Sequence, residues 1–166
     1  MKRYHTLLVL IAVLTFVSAC EKVNFGEDGG ITEKDTNNRP TGHVDSSDWS
    51  SDATWKKQEL ELFKSLKLDL NGTQQGGVQE ISLFPNPVAT VAQFSVRRPG
   101  SATRQAWVVV DRKYKVVQDY AEGPLNYSYQ LDFSSLKKGE TYRMYYVFYS
   151  GNTLYSKGHG DIRMAD

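Results

Sequence analysis

Cysteine is nearly absent from this chain. Cys20 is the only one among 166 residues, so no intramolecular disulfide can form and no Cys-x-x-Cys metal site exists. Histidine is almost as scarce. Beyond the first twenty residues only His43 and His159 occur, far apart and without His-x-x-x-His spacing. Neither a metal cluster nor a Ser–His–Asp arrangement can be assembled from that pattern; Ser134, Ser135 and Asp132 have no histidine nearby in sequence. A glycine-rich phosphate loop is also missing, since Gly76-Gly77 leads toward a strand and not a helix. The apolar stretch Leu7 to Ala19 falls short of the ~20 residues needed to cross hydrocarbon. Neither sign of charge dominates: 20 basic residues face 19 acidic ones, which gives no overall electrostatic case for a nucleic-acid partner. Together these absences argue against an enzyme and against a bound metal.

What the chain does have begins at its start. Lys2 and Arg3 precede the apolar run Leu7 to Val17, and small residues follow, the three-part layout of a secretory signal. Val17-Ser18-Ala19-Cys20 resembles the lipobox of bacterial lipoproteins. The resemblance implies cleavage between Ala19 and Cys20, a diacylglyceryl group on the Cys20 thiol and acylation of the new amino terminus. That covalent lipid would be the only prosthetic group. It implies a membrane partner and a place in the cell envelope, at the outer membrane of a Gram-negative bacterium. Each buried methylene contributes ~0.8 kcal/mol, and more than one acyl chain makes such anchoring stable.

Cleavage would leave 147 residues, with 18 basic against 19 acidic. Residues 20–52 hold eight acidic residues against three basic ones and show no apolar period. That composition predicts a flexible tether, holding the domain ~30 Å from the lipid. Residues 53–78 form a connector. Its spacing predicts a short helix over 53–64, with Asp52 as N-cap, and a strand over 66–70 from the alternation of Leu66, Leu68 and Leu70.

From residue 79 onward the pattern is β. Glu80–Phe84, Val91–Val96, Gln105–Val110, Tyr114–Gln118, the alternation from Tyr127 to Phe133, Thr141–Tyr149 and Leu154–Lys157 read as strands divided by turn residues. About seven short strands at this spacing predict an all-β fold, an Ig-like antiparallel β-sandwich over 79–166.

Phe84-Pro85-Asn86-Pro87-Val88, opening this domain, resembles the start of the type A C-terminal sorting domain of the type IX secretion system. The aliphatic strand Trp107–Val110 with its charged turn, and Leu131-Asp132-Phe133-Ser134-Ser135-Leu136 leading to Gly139 and Tyr142, follow in that family's order. The resemblance implies a sandwich and, in its strongest form, a module recognised by export machinery. Four departures favour a free-standing relative. The charged turn has Lys113 or Tyr114 where the family usually has glycine, and Glu140-Thr141 lengthen the step from Gly139 to Tyr142. The chain lacks a basic, apolar finish, and a lipoprotein-type signal and a tether stand where the family has an ordinary signal and a large cargo. The residues alone account for the motif as well. Pro85 and Pro87 flanking Asn86 make a rigid corner at a sheet edge, and Gly139 marks a turn position that can require positive φ.

One candidate binding surface stands out. On the strand Thr141–Tyr149, the residues Arg143, Tyr145, Val147 and Tyr149 share one face, while Tyr142, Met144, Tyr146 and Phe148 share the other. If only one face lines the core, the other presents tyrosines and an arginine suited to an envelope protein or a glycan; if both are covered, the rings are buried and the hydroxyls lie at the rim. His159, between Gly158 and Gly160, reads as a solvated loop residue. The expected function is that of an anchored, non-catalytic binding or scaffolding domain.

Overall fold

The computed structural model describes residues 21–26, 30–76 and 80–166. The expected signal segment, with Ala19 at the expected cleavage point, and Cys20, the expected site of lipid, lie outside the described residues. In chain order the elements are β1 (Ser50–Ser51), α1 (Lys57–Leu62), a 3-10 turn (Lys64–Leu66), β2 (Glu80–Phe84), β3 (Val91–Arg97), β4 (Arg104–Val110), β5 (Val116–Pro124), β6 (Ser128–Asp132), β7 (Thr141–Ser150) and β8 (Thr153–Arg163). Two antiparallel sheets result. One has the order β1-β8-β7-β4-β5 and the other β2-β3-β6. The fold is an all-β sandwich.

Alternation builds the inter-sheet core. Leu83, Ala92, Phe94, Val96 and Leu131 of the three-stranded sheet meet Val109, Met144, Tyr146, Phe148 and Ile162 of the other. Those strand residues are β-branched, aromatic or long apolar side chains, which suit a pleated, covered surface. The opposite face of the five-stranded sheet is equally apolar, carrying Ala106, Val108, Val110, Tyr145, Val147 and Tyr149. It is covered by Trp55, Phe63 and Leu70 from the connector and by Val23 and Phe25 from the stretch after Cys20. The molecule is thus two sheets plus a third layer of helix and extended chain, and both faces of β7 are buried.

That third layer departs from the expected tether. Val23, Phe25, Ile31 and Trp49 are buried, and the chain makes backbone hydrogen bonds to distant elements. The Val23 N–H donates to the Arg112 carbonyl at 2.8 Å, and Lys34 exchanges both backbone bonds with Asn86 at 2.8 and 2.9 Å. Ser50 and Ser51 pair with His159 and Gly158, adding β1 at the edge. The acidic composition of residues 20–52 conceals four apolar anchors, each with a prepared site. Trp49 adopts φ 57° and lays its indole over Gly160, where an added Cβ would come within 2.1 Å of the ring. Glycine is needed there because backbone and indole pack directly together.

Other boundaries moved for physical reasons. The helix is shorter than 53–64 and starts at Lys57, because Lys56 is its N-cap and Glu59 Oε2 accepts the Lys56 N–H at 2.6 Å. Asp52 caps nothing. Residues 66–70 form no strand: Leu66 ends the 3-10 turn and Lys67 takes φ 52°, while Leu70 points into the covering layer. β8 runs on to Arg163 instead of stopping at Lys157, so His159 is a strand residue and not a loop residue.

Candidate functional site

Of the two alternatives for the tyrosine face, the buried one holds: the candidate surface is closed. Tyr145 is 0% exposed and Tyr149 5%, and both are covered. Trp55 stands edge-on to the Tyr145 ring at 5.6 Å and stacks on Phe63 at 5.3 Å. The Tyr145 hydroxyl donates to Glu59 Oε1 at 3.2 Å, so α1 both caps itself and satisfies the buried phenol. At the other end Tyr149 accepts a hydrogen bond from Arg104 Nε at 3.1 Å and donates to Glu122. These tyrosines belong to a second core, not to a recognition surface.

Arg143, third member of that face, is an internal tie. Its guanidinium donates to both carboxylate oxygens of Asp161, at 2.6 and 2.7 Å, and to the Asn24 carbonyl at 2.9 Å. It also lies 5.4 Å from the centroid of Phe25, whose ring has Arg112 at 5.3 Å as well. Asp161 itself is buried, and burial raises its pKa against the pull of Arg143. Beside it Asp48 accepts the Asp161 N–H at 2.7 Å and the Thr32 N–H at 2.8 Å. Burial pushes Asp48 up to about 7, opposed by those two backbone donors and reinforced by the Asp161 charge.

A pH dependence follows with a definite sign. A carboxyl that titrates near 7 when folded and near 3.8 when unfolded holds its proton longer in the native state. Stability from Asp48 is therefore fully present below about pH 4 and declines as pH rises toward 7. Between pH 5 and 8 ionisation of this group should remove about 3 kcal/mol, since each tenfold fall in proton concentration costs about 1.4 kcal/mol until the folded carboxyl has ionised. Urea titrations at the two pH values should show that loss in the native sequence and a flatter profile in Asp48→Asn. An equally steep profile in the variant would assign the titration elsewhere.

A second tie joins the connector to β8. His159 Nδ1 lies 2.8 Å from Asp52 Oδ2, which also accepts the Trp55 indole N–H at 2.7 Å. Burial acts to raise the Asp52 pKa, but the bonds from His159 and Trp55 and the nearby Lys157 charge hold it below the ordinary value. Lys157 is buried, with Nζ donating to the carbonyls of Asp52 and Ala53 at 2.8 and 2.9 Å and lying 5.1 Å from the Trp55 centroid. Burial lowers its pKa. Each of these ionisable groups is used to hold the covering layer in place.

The Phe84–Val88 corner has a larger role than turning the chain. Asn86 is 0% exposed. Its Nδ2 donates to the Asp161 carbonyl at 3.0 Å and its Oδ1 accepts the Arg163 N–H at 3.0 Å, while its backbone pairs with Lys34. Phe84 and Pro85 are half-buried, and only Pro87 is exposed. Both proline bonds, Phe84-Pro85 and Asn86-Pro87, are cis. Gly139 sits in the β6–β7 loop with φ 72°.

A concavity the sequence did not single out opens at one end of the sandwich. It encloses about 350 Å³ and is lined by Asp111, Arg112, Lys113, Lys137, Thr141 and Arg163, among others. Its cations come from two turns and the end of β8, so no local motif reveals it. Among the described residues no group of three or more His, Cys, Asp or Glu is placed to hold a metal ion. No helix among them is long and apolar enough to cross a membrane. Comparison of the chain with protein-family models and with curated proteins found no match.

Proposed function

We propose that this chain is a cell-envelope lipoprotein, anchored through lipid on Cys20, whose β-sandwich binds or scaffolds without catalysing a reaction. The observation that supports this most is how soon folding begins after Cys20. Val23 is buried with its N–H on the Arg112 carbonyl, and Phe25 sits between two guanidinium groups. Three residues of extended chain reach at most ~11 Å. Lipid on Cys20 would hold the sandwich against the bilayer, with the β4–β5 turn close to the headgroups, and not ~30 Å away on a leash. The ionisable groups favour a non-catalytic role, because Asp52, His159, Lys157, Arg143 and Asp161 are consumed by internal ties.

A sorting module read by type IX export machinery is the second reading, carried by the Phe84–Val88 motif. Its key asparagine is engaged wholly by internal partners, which leaves little of the motif to be read. The test of anchoring is fatty-acid labelling and membrane fractionation of cells making the native chain or Cys20→Ala. The native chain should incorporate label and fractionate with membranes, and the variant should do neither. Unchanged behaviour in Cys20→Ala would overturn the lipoprotein reading. Protease shaving of intact cells then assigns the leaflet.

A further inference from the structure

The end cleft contains more positive charge than the fold uses. Arg112 and Lys113 come from the β4–β5 turn, Lys137 from the β6–β7 loop and Arg163 from the end of β8. Two acids, Asp111 and Glu140, share the walls. Asp111 is occupied by the backbone N–H groups of Lys113 and Lys115, at 2.7 and 3.0 Å. Glu140 pairs with Lys137 at 3.1 Å. Arg112 stacks on Phe25. Arg163 meets a neutral partner, with Nη1 donating to Thr141 Oγ1 at 3.4 Å. Lys113 makes no ion pair among the described residues.

We propose that this cleft binds a single phosphate group. The excess of cations over acids in the walls makes the cleft attractive to an anion. The apolar part of the wall is limited to Val117 and the Tyr142 ring, which excludes an acyl chain or a large planar ligand. A phosphate carries up to two charges and several acceptor oxygens, enough for both a guanidinium fork and an ammonium group, with the Thr141 hydroxyl as a neutral donor. A carboxylate presents its two acceptor oxygens in one plane, whereas a phosphate group spreads its acceptor oxygens tetrahedrally and can meet donors that converge from separate segments. The turn carrying Lys113 is preset: the Asp111 N–H donates to the Lys115 carbonyl at 2.9 Å and the Tyr114 N–H to the Asp111 carbonyl at 3.0 Å. Little ordering is then lost on binding.

Two sources can supply that group: free phosphate, or the phosphate of a lipid headgroup. The Val23–Arg112 bond holds the chain at this turn three residues after Cys20, so on the lipoprotein reading a headgroup of the anchoring bilayer is the favoured source. Only that choice of source rests on the lipoprotein reading; the phosphate chemistry does not.

The experiment uses the full chain in dodecyl maltoside micelles, which contain no phosphate. It is titrated with inorganic phosphate, with short-chain phosphatidylglycerol and with acetate at matched ionic strength. Amide resonances of Lys113, Lys115 and Thr141 report occupancy. Saturable shifts with a phosphate-bearing probe, weakened at least tenfold in Lys113→Gln and in Lys113→Gln with Arg163→Gln while melting is unchanged, are the expected result. No saturable shift with either probe, equal binding by the variants, or acetate matching phosphate would overturn the proposal. Tighter binding of phosphatidylglycerol supports the headgroup source, and equal or tighter binding of inorganic phosphate overturns it. Since the titration needs no lipid on Cys20, its failure is distinct from failure of the anchor, which fatty-acid labelling reads.

Discussion

Replacing Arg143 by methionine should destabilise the protein by about 3–5 kcal/mol, the cost of leaving one member of a buried ion pair without its partner. Asp161 is nearly inaccessible, with a side chain only 3% exposed, and depends on two bonds from Arg143. Its neighbour Asp48 is also buried, so the orphaned carboxylate would face a second acid with no cation between. Methionine keeps much of the aliphatic stem and isolates the charge. The double replacement Arg143→Met with Asp161→Leu should recover most of the loss, because apolar residues of similar volume can replace such a pair without penalty. Urea denaturation followed by tryptophan fluorescence measures both. A single variant within 1 kcal/mol of the native chain would show that the pair holds nothing in place.

Phe25→Ala should cost about 3–5 kcal/mol, the range for emptying a buried aromatic site. Phe25 is 3% exposed and lies five residues beyond Cys20, in a stretch whose composition predicts no fold at all. Its removal would vacate the site between Arg112 and Arg143 and loosen the segment carrying Val23. The same denaturation measurement applies. A change below about 0.5 kcal/mol, the range of an ordinary surface substitution, would mean that the segment is a passive leash.

Where strand signals were local, the sequence was readable. β2, β3, β4 and β7 stand within a residue or so of their expected bounds, because apolar alternation or continuous apolar runs mark them directly. The two apolar faces of Thr141–Tyr149 already implied that both could be covered, yet nothing local said by what. Val23, Phe25, Ile31 and Trp49 are isolated among acidic and small residues, and averaged composition hides single anchors. Three of them meet partners remote in sequence: Val23 at Arg112, Phe25 at Arg112 and Arg143, and Trp49 at Gly160. β8 looked like a loop past Lys157 because Gly158 and Gly160 depress strand propensity. Those glycines are what allow Ser50 and Trp49 to lie against the strand. The end cleft was illegible for a related reason, its four cations arriving from two turns and a strand end that only the fold brings together.

Amide hydrogen exchange of the full chain in micelles tests most directly whether the fold begins just beyond Cys20. Val23, Lys34 and Asp52 each donate their N–H to a carbonyl elsewhere in the fold, while Thr32 and Glu33 donate theirs to Asp48 and His43 within the segment. Slow exchange at these amides, approaching that of β7, is the result predicted for a chain packed from just beyond Cys20. Exchange at the rate of an unstructured peptide through residues 21–52, with β7 still protected, would contradict it and restore the picture of a sandwich on a long tether.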